Sequence, residues 1–90
     1  MVTVYILLCS DRSYYTGMSA NLDRRIRQHT AGGCSYTKSR LPIIPVFTQV
    51  MKNYKHARWL EKKIKHFGAQ KWLRIHNCLY AESILYVKNF

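Results

Sequence analysis

Ninety residues allow one domain with a modest core, and a 48% hydrophobic content is ordinary for a globular fold. Fifteen lysines and arginines against four acids give a net charge of +11. That excess attracts polyanions: first nucleic acid, whose phosphates release counterions on contact, then an anionic membrane surface or RNA in a large assembly.

The opening stretch, MVTVYILLC, is rich in β-branched and aromatic residues and predicts a strand over 2–9. It lacks a basic flank and runs straight into Asp11 and Arg12, so it reads as a buried strand and not a signal peptide. No apolar run in the chain is long enough to span a bilayer. Ser10–Ser13 is turn chemistry, and Tyr14–Met18 is a second strand, making a hairpin. A four-residue loop would pair Cys9 with Tyr14 and place Tyr5 and Tyr15 on opposite faces. A three-residue loop, Asp11–Ser13, would pair Ser10 with Tyr14 and place both on one face. Local sequence does not choose between them.

Ser19 or Asn21 caps a first helix, with Asp23 in its first turn, and Gly32 and Gly33 stop it near Ala31. Leu22 and Ile26 form its short apolar stripe. His29 projects between them, Arg25 lies beside them, and Arg24, Arg27 and Gln28 point to solvent. Residues 32–45 read as a loop holding Lys38, Arg40 and both prolines. Val46–Met51 is a third strand. Tyr54–Phe67 is a helix with Ala57, Leu60, Ile64 and Phe67 inward and a basic outer face of Lys55, Arg58, Lys62, Lys63 and Lys65. After Gly68, Ala69–His76 forms another helix with Trp72, Leu73 and Ile75 inward. Cys78–Phe90 is a helix or an extra strand. The expected division is therefore a domain over 1–76 and an extension, 77–90, packed on it. The three cysteines, Cys9, Cys34 and Cys78, are odd in number and widely spaced, which argues against a disulfide framework and for a reducing, cytoplasmic compartment.

Several residues carry possible chemistry, each with a plainer alternative. Glu61 is the one acid between Lys52 and Arg74. It is either an i,i+4 partner of Lys65 or a hard oxygen ligand for one divalent ion, since Mg²⁺ often takes one or two carboxylates and completes its shell with water and phosphate. Arg25 and His29, also i,i+4, are either a surface arginine and a boundary histidine or a phosphate fork beside a proton-transfer group. Tyr5 and Tyr15 suit strands in any protein, and Gly17 suits a strand end. His56, His66, His76 and Cys78 make no zinc pattern.

Taken in order, Val4-Tyr5-Ile6, Tyr15-Thr16-Gly17, Asn21-Leu22-Asp23-Arg24-Arg25, His29 and Leu60-Glu61 resemble the GIY-YIG nuclease superfamily over about residues 2–75. The nearest likeness is to its small single-domain bacterial members of the excision-nuclease-like, UPF0213 type, which the stretch 33–42 with Tyr36, Thr37, Lys38 and Arg40 also resembles. Val4 stands where the first motif has glycine, and Thr16 where the second has isoleucine; neither change removes a proposed catalytic group.

The resemblance implies an α+β fold: a small three-stranded antiparallel sheet flanked by three or more helices. It also implies that both tyrosines share a face, hence an odd-length hairpin loop. For function it implies a metal-dependent DNA endonuclease of repair or recombination. Tyr5 would be the general base, Tyr15 a phosphate-positioning group, Gly17 the point of close backbone approach, Arg25 the stabiliser of developing charge, His29 an assistant to Tyr5, and Glu61 the ligand of one Mg²⁺ or Mn²⁺. A free tyrosine is a poor base at neutral pH, with a pKa of about 10; Arg25, the metal and the basic surface are expected to favour its ionised form. Arg24, Lys38, Arg40, Lys62, Lys63 and Lys65 would hold the DNA backbone by charge, with no base-specific reading. Tyr36 would stack on unpaired bases. The alternatives are a non-catalytic nucleic-acid-binding module and an accessory subunit of a larger complex that needs a partner protein.

Overall fold

The computed structural model describes residues 1–76. The elements run β1 (Val2–Cys9), β2 (Tyr14–Ser19), α1 (Leu22–Thr30), α2 (Ser35–Lys38), β3 (Ile43–Met51), α3 (Tyr54–Phe67) and α4 (Ala69–Ile75). The strands form one antiparallel sheet in the order β2-β1-β3. This is the expected α+β architecture; the expected helix or strand over 78–90 lies outside the described residues.

The central strand sets the layering. β1 is buried along nearly its whole length, which is why it reads as an apolar run and not as an alternation. Val2, Val4, Ile6 and Leu8 face α3 and α4 and pack with Val46, Ala57, Leu60, Ile64, Trp72 and Leu73. Alternation puts Tyr5 and Leu7 on the opposite face, the face that α1 and α2 reach through His29 and Thr37.

The hairpin loop is odd in length, as the shared face of the tyrosines requires, but it sits one residue earlier than expected. Cys9 N–H donates to the Ser13 carbonyl (2.9 Å) and Arg12 N–H to the Cys9 carbonyl (2.9 Å), so the loop is Ser10, Asp11 and Arg12. Arg12 takes φ +68°, the left-handed residue that closes a three-residue hairpin loop. Ser13 is drawn back by Asp11, whose carboxylate accepts from the Ser13 N–H and hydroxyl. The ladder then pairs Leu8 with Tyr14, Leu7 with Tyr15 and Tyr5 with Gly17.

Four further details differ from the sequence-based expectation. Residues 32–45 are not all loop, because 35–38 make the single turn of α2 and β3 begins at Ile43. β3 accommodates Pro45 because it is an edge strand and because the register slips there: Ile6 pairs with Phe47 and Leu7 with Pro45, leaving Val46 as the extra residue of a bulge. Phe67 and Ile75 are exposed, not inward. Phe67 ends α3 just before Gly68 (φ +87°) turns the chain, and Ile75 lies beyond the buried pair Trp72 and Leu73.

The helix starts are chemically explicit. The Asn21 side chain accepts from Arg24 N–H and the Asn53 side chain from His56 N–H, capping α1 and α3. α3 then buries Ala57, Leu60 and Ile64 at helical spacing. Burying a side chain like Ile64 contributes about 1.5–3 kcal/mol. Ile64→Ala is expected to cost about 2–5 kcal/mol of unfolding free energy in urea titration, because a cavity is added to the lost transfer energy. Lys55→Ala, on the exposed face of the same helix, is expected to stay within about 0.5 kcal/mol.

Candidate active site

The ladder puts Tyr5, Gly17 and Tyr15 on one face of the sheet. Gly17 is a matter of space. A Cβ built there would lie 2.6 Å from the Tyr5 hydroxyl oxygen and 3.1 Å from Cε1 of Tyr15. The missing side chain is what allows the Tyr5 ring to cross its neighbour strand.

Tyr5 is 1% exposed and His29 and Thr37 are fully buried. Buried polar groups need partners, and these three supply one another. Tyr5 Oη lies 3.2 Å from His29 Nε2, and His29 Nδ1 lies 2.7 Å from Thr37 Oγ1. Thr37 Oγ1 in turn reaches the Cys34 carbonyl at 3.5 Å. A carbonyl can only accept, so the Thr37 hydroxyl donates to it and accepts from Nδ1–H. Nε2 is then the acceptor for the Tyr5 hydroxyl. Burial, and next the charge of Arg25, lower the His29 pKa, which keeps the ring neutral and fit to accept.

Tyr5 itself is raised by burial; Arg25, as hydrogen-bond partner and positive charge, offsets this only in part. This corrects the expectation of a tyrosine eased toward its ionised form: the cost of burying a phenolate outweighs the nearby cation. Tyr15 is likewise raised, first by burial. Its ring stands 6.4 Å from Tyr5, 5.0 Å from His29 and 5.6 Å from Tyr36 between centroids. Arg25 engages both tyrosines and also donates to Gln28 Oε1 at 3.0 Å. Five of the residues singled out in the sequence, Tyr5, Tyr15, Gly17, Arg25 and His29, therefore form one cluster.

Glu61 sits at the margin of the buried stripe of α3. Its carboxylate is among the charges that raise Tyr5, so it acts on the same cluster. It pairs with Lys65 at 3.6 Å, the i,i+4 alternative, without excluding a second role for its other oxygen. Beside the cluster a groove of about 510 Å³ runs along β2, lined by Tyr14, Tyr15, Thr16, Tyr36, Lys65 and residues 68–70. Val4 and Thr16, the two departures from the motif, are buried and alternate away from the tyrosines.

The other candidates are spread over α1, the segment 36–40 and α3. Arg24 and Lys38 are exposed, Arg24 lining a small polar cleft with Arg25 and Gln28. Lys62 and Lys63 are exposed on α3, beside Trp59 and not beside the tyrosines. Arg40 is a structural clamp as well as a cation: it bonds Asp11 Oδ2 (2.9 Å) and the Tyr36 carbonyl (2.6 Å) and lies 4.2 Å over the Tyr36 ring. It ties the loop after α2 to the hairpin and fixes Tyr36. The sequence-based reading missed two members of the cluster. Thr37, which sets the His29 tautomer, stood in a quoted motif as an ordinary polar residue. Cys34 accepts from Thr37 through its carbonyl and interacts with Tyr15 through its thiol. Burial alone would raise that thiol, but the backbone N–H groups of Thr37 and Tyr36 together with the Thr37 and Tyr15 side chains hold it below the ordinary value.

Among the described residues no group of three or more His, Cys, Asp or Glu side chains could hold a metal ion, and no helix is long and apolar enough to cross a membrane. One carboxylate nonetheless fits an Mg²⁺ ion that keeps most of its water.

The buried histidine makes stability depend on pH. An unfolded His29 has a pKa of about 6.5, and the folded value is lower. The unfolded chain thus binds more protons between the two values, and stability rises with pH there. It is complete above about pH 6.5 and falls as pH drops toward the folded value. A series of urea midpoints is expected to show this loss, and His29→Gln is expected to flatten it. Gly17→Ala is expected to destabilise by about 1–3 kcal/mol, because Tyr5 must leave its position; thermal melts of the variant check this.

The model of the GIY-YIG catalytic domain family matches residues 1–72. A UPF0213 protein of Staphylococcus haemolyticus is 40% identical over 73 residues, covering 80% of this chain and 89% of that protein. A UPF0213 protein of Halalkalibacterium halodurans is 41% identical over 69 residues, covering 76% and 73%. The solution NMR structure of a UPF0213 protein from Bacillus halodurans superposes with a TM-score of 0.54 at 37% identity, covering 86% of this chain and 84% of that one. With the motif tyrosines, the glycine between them and the α1 arginine and histidine gathered on one face of the sheet, the chain belongs to the GIY-YIG catalytic domain family.

Proposed function

We propose that this protein is a metal-dependent endonuclease that hydrolyses phosphodiester bonds in DNA, acting in repair or recombination on nicked or branched substrates in the cytoplasm. The catalytic domain would be residues 1–76, with 77–90 an extension packed on it. The observation that carries the reading is the hydrogen-bonded line from Tyr5 through His29 to Thr37, set beside Arg25 and Tyr15 in a protein of this charge.

The chemistry follows from protonation states. A neutral tyrosine cannot take a proton from water unless it gives its own away. His29 Nε2, unprotonated and in line, is the acceptor. As the attacking water yields a proton to Tyr5 Oη, Tyr5 passes its own to His29, and no free phenolate is needed. Thr37 holds the ring in the tautomer that accepts. Arg25, held by Gln28 and close enough to both tyrosines to influence them, stabilises the negative charge that develops on the phosphate. Tyr15 positions that phosphate, and Gly17 lets the strand approach. Glu61 would hold one Mg²⁺ or Mn²⁺, which when bound supplies Lewis-acid stabilisation of the scissile phosphate and leaving oxygen.

The backbone of the DNA would be held by charge. Lys65 lines the groove beside Tyr15 and Tyr36, and Arg24, Lys38, Arg40, Lys62 and Lys63 would add contacts to the DNA backbone from other parts of the surface. Tyr36, propped by Arg40, offers a ring to an unpaired base at the cut.

The test is a cleavage assay on nicked, flapped, branched and plain DNA, with Mg²⁺ or Mn²⁺ and with EDTA. Cutting is expected only with metal. Tyr5→Phe and His29→Gln are expected to lose about 10²–10⁴-fold in rate, the range of a general-base contribution. Glu61→Ala is expected to abolish metal-dependent cutting while leaving binding in place; equal cutting by that variant would remove Glu61 from the metal role. Binding without cutting on every substrate would instead favour the binding-module or accessory reading. DNA affinity is expected to fall steeply with salt, with a log–log slope of several units; a slope near zero would sink the nucleic-acid reading.

A further inference from the structure

The outer face of α3 carries a feature that the tyrosine cluster does not use. Trp59 is 58% exposed, on a helix whose inward stripe is already filled by Ala57, Leu60 and Ile64. Two residues along a helix turn the side chain by roughly 200°, so Trp59 points away from Glu61 and the groove beside it. Its surroundings are cationic. Lys63 Nζ stands 4.7 Å from the centre of the indole ring. Lys55, Arg58 and Lys62 line with Trp59 a shallow groove of about 370 Å³.

This composition selects an occupant. A second copy of the chain would bring like charges together around the indole. A duplex would satisfy the cations but leave the ring facing a sugar-phosphate wall. An unpaired strand offers both a phosphate for each cation and a base face for the indole.

We propose that this face of α3 is a second nucleic-acid contact, where an unpaired base stacks on Trp59 while Lys55, Arg58 and Lys62 hold the neighbouring phosphates. The inference rests on the nucleic-acid reading above and adds a substrate class to it: DNA with a single-stranded arm. The scissile phosphate lies at the tyrosine cluster and the free strand passes around α3, a helix about 10–12 Å across.

The experiment is a titration in EDTA, so that no cutting occurs, with a thymidine oligonucleotide and with a blunt duplex of equal phosphate number. Tryptophan emission and Kd are read for the parent, Trp59→Phe and Trp59→Ala. Trp72 is buried and contributes a constant background. The oligonucleotide is expected to quench the parent. Trp59→Ala is expected to lose the quenching and bind the oligonucleotide about tenfold or more weakly. Trp59→Phe is expected to keep most of the affinity, and duplex affinity and melting temperature are expected to hold in both variants.

Equal oligonucleotide affinity in the parent and Trp59→Ala overturns the proposal. So does equal quenching by polyglutamate or by anionic vesicles, or a dimer that Trp59→Ala dissolves. These outcomes assign the face to an acidic polypeptide, a membrane surface or a second copy. A protein that binds no DNA at all loses the nucleic-acid reading as well. One that binds and cuts duplex with Trp59 irrelevant loses only this contact.

Discussion

The hydroxyl of Tyr5 sits on a strand that is buried on both faces, and the arrangement around it follows from that. An unsatisfied hydroxyl there would cost about 1–3 kcal/mol. The strand cannot supply a partner, since its own polar groups are spent on two ladders. The partner must come from an element packed on the Tyr5 face. α1 brings His29 and α2 brings Thr37, so one buried oxygen fixes where two helices dock. The ring also needs room across the hairpin, and only the missing side chain of Gly17 provides it.

The same burial decides the electrostatics. Desolvation is the largest influence on Tyr5, Tyr15 and His29, and it keeps all three neutral. A cluster of neutral groups under one guanidinium suits an anionic ligand, because the cation is not cancelled by a phenolate at rest. Proton transfer can then be concerted along a line already made. Carboxylates are few in this chain, and Glu61 is the one whose charge reaches Tyr5. Its ion pair with Lys65 is long and partly exposed, the kind of pair worth little, so exchanging it for another cation costs little.

α3 is the element on which three surfaces meet. One stripe fills the core, a second presents Lys65, the ion-pair partner of Glu61, to the groove along β2, and a third presents Trp59 among cations. A single helix can do this because its period distributes successive residues around the axis. The surplus of lysine and arginine therefore does not form a uniform solvated coat. It divides into a part beside the tyrosines and a part turned away from them.

Much of the fold was legible in the sequence because its signals are local. The cap at Asn21, read as an alternative to Ser19, the stop at Gly68 and the spacing of Ala57, Leu60 and Ile64 each depend on neighbours within a few residues. The motif tyrosines, Gly17, Arg25, His29 and Glu61 were legible through their order and spacing. Other features were decided only by tertiary structure. The hairpin loop shifted by one residue because Arg12 accepts the left-handed conformation and Asp11 holds Ser13. β3 could begin before Pro45 because a bulge on an edge strand absorbs it. Thr37 became part of the site through His29, eight residues away, and Tyr5 met that histidine across twenty-four. Burial and long-range hydrogen bonding are properties of packed chains, so the residue types were set by the sequence while the protonation states and the partners were set by the fold.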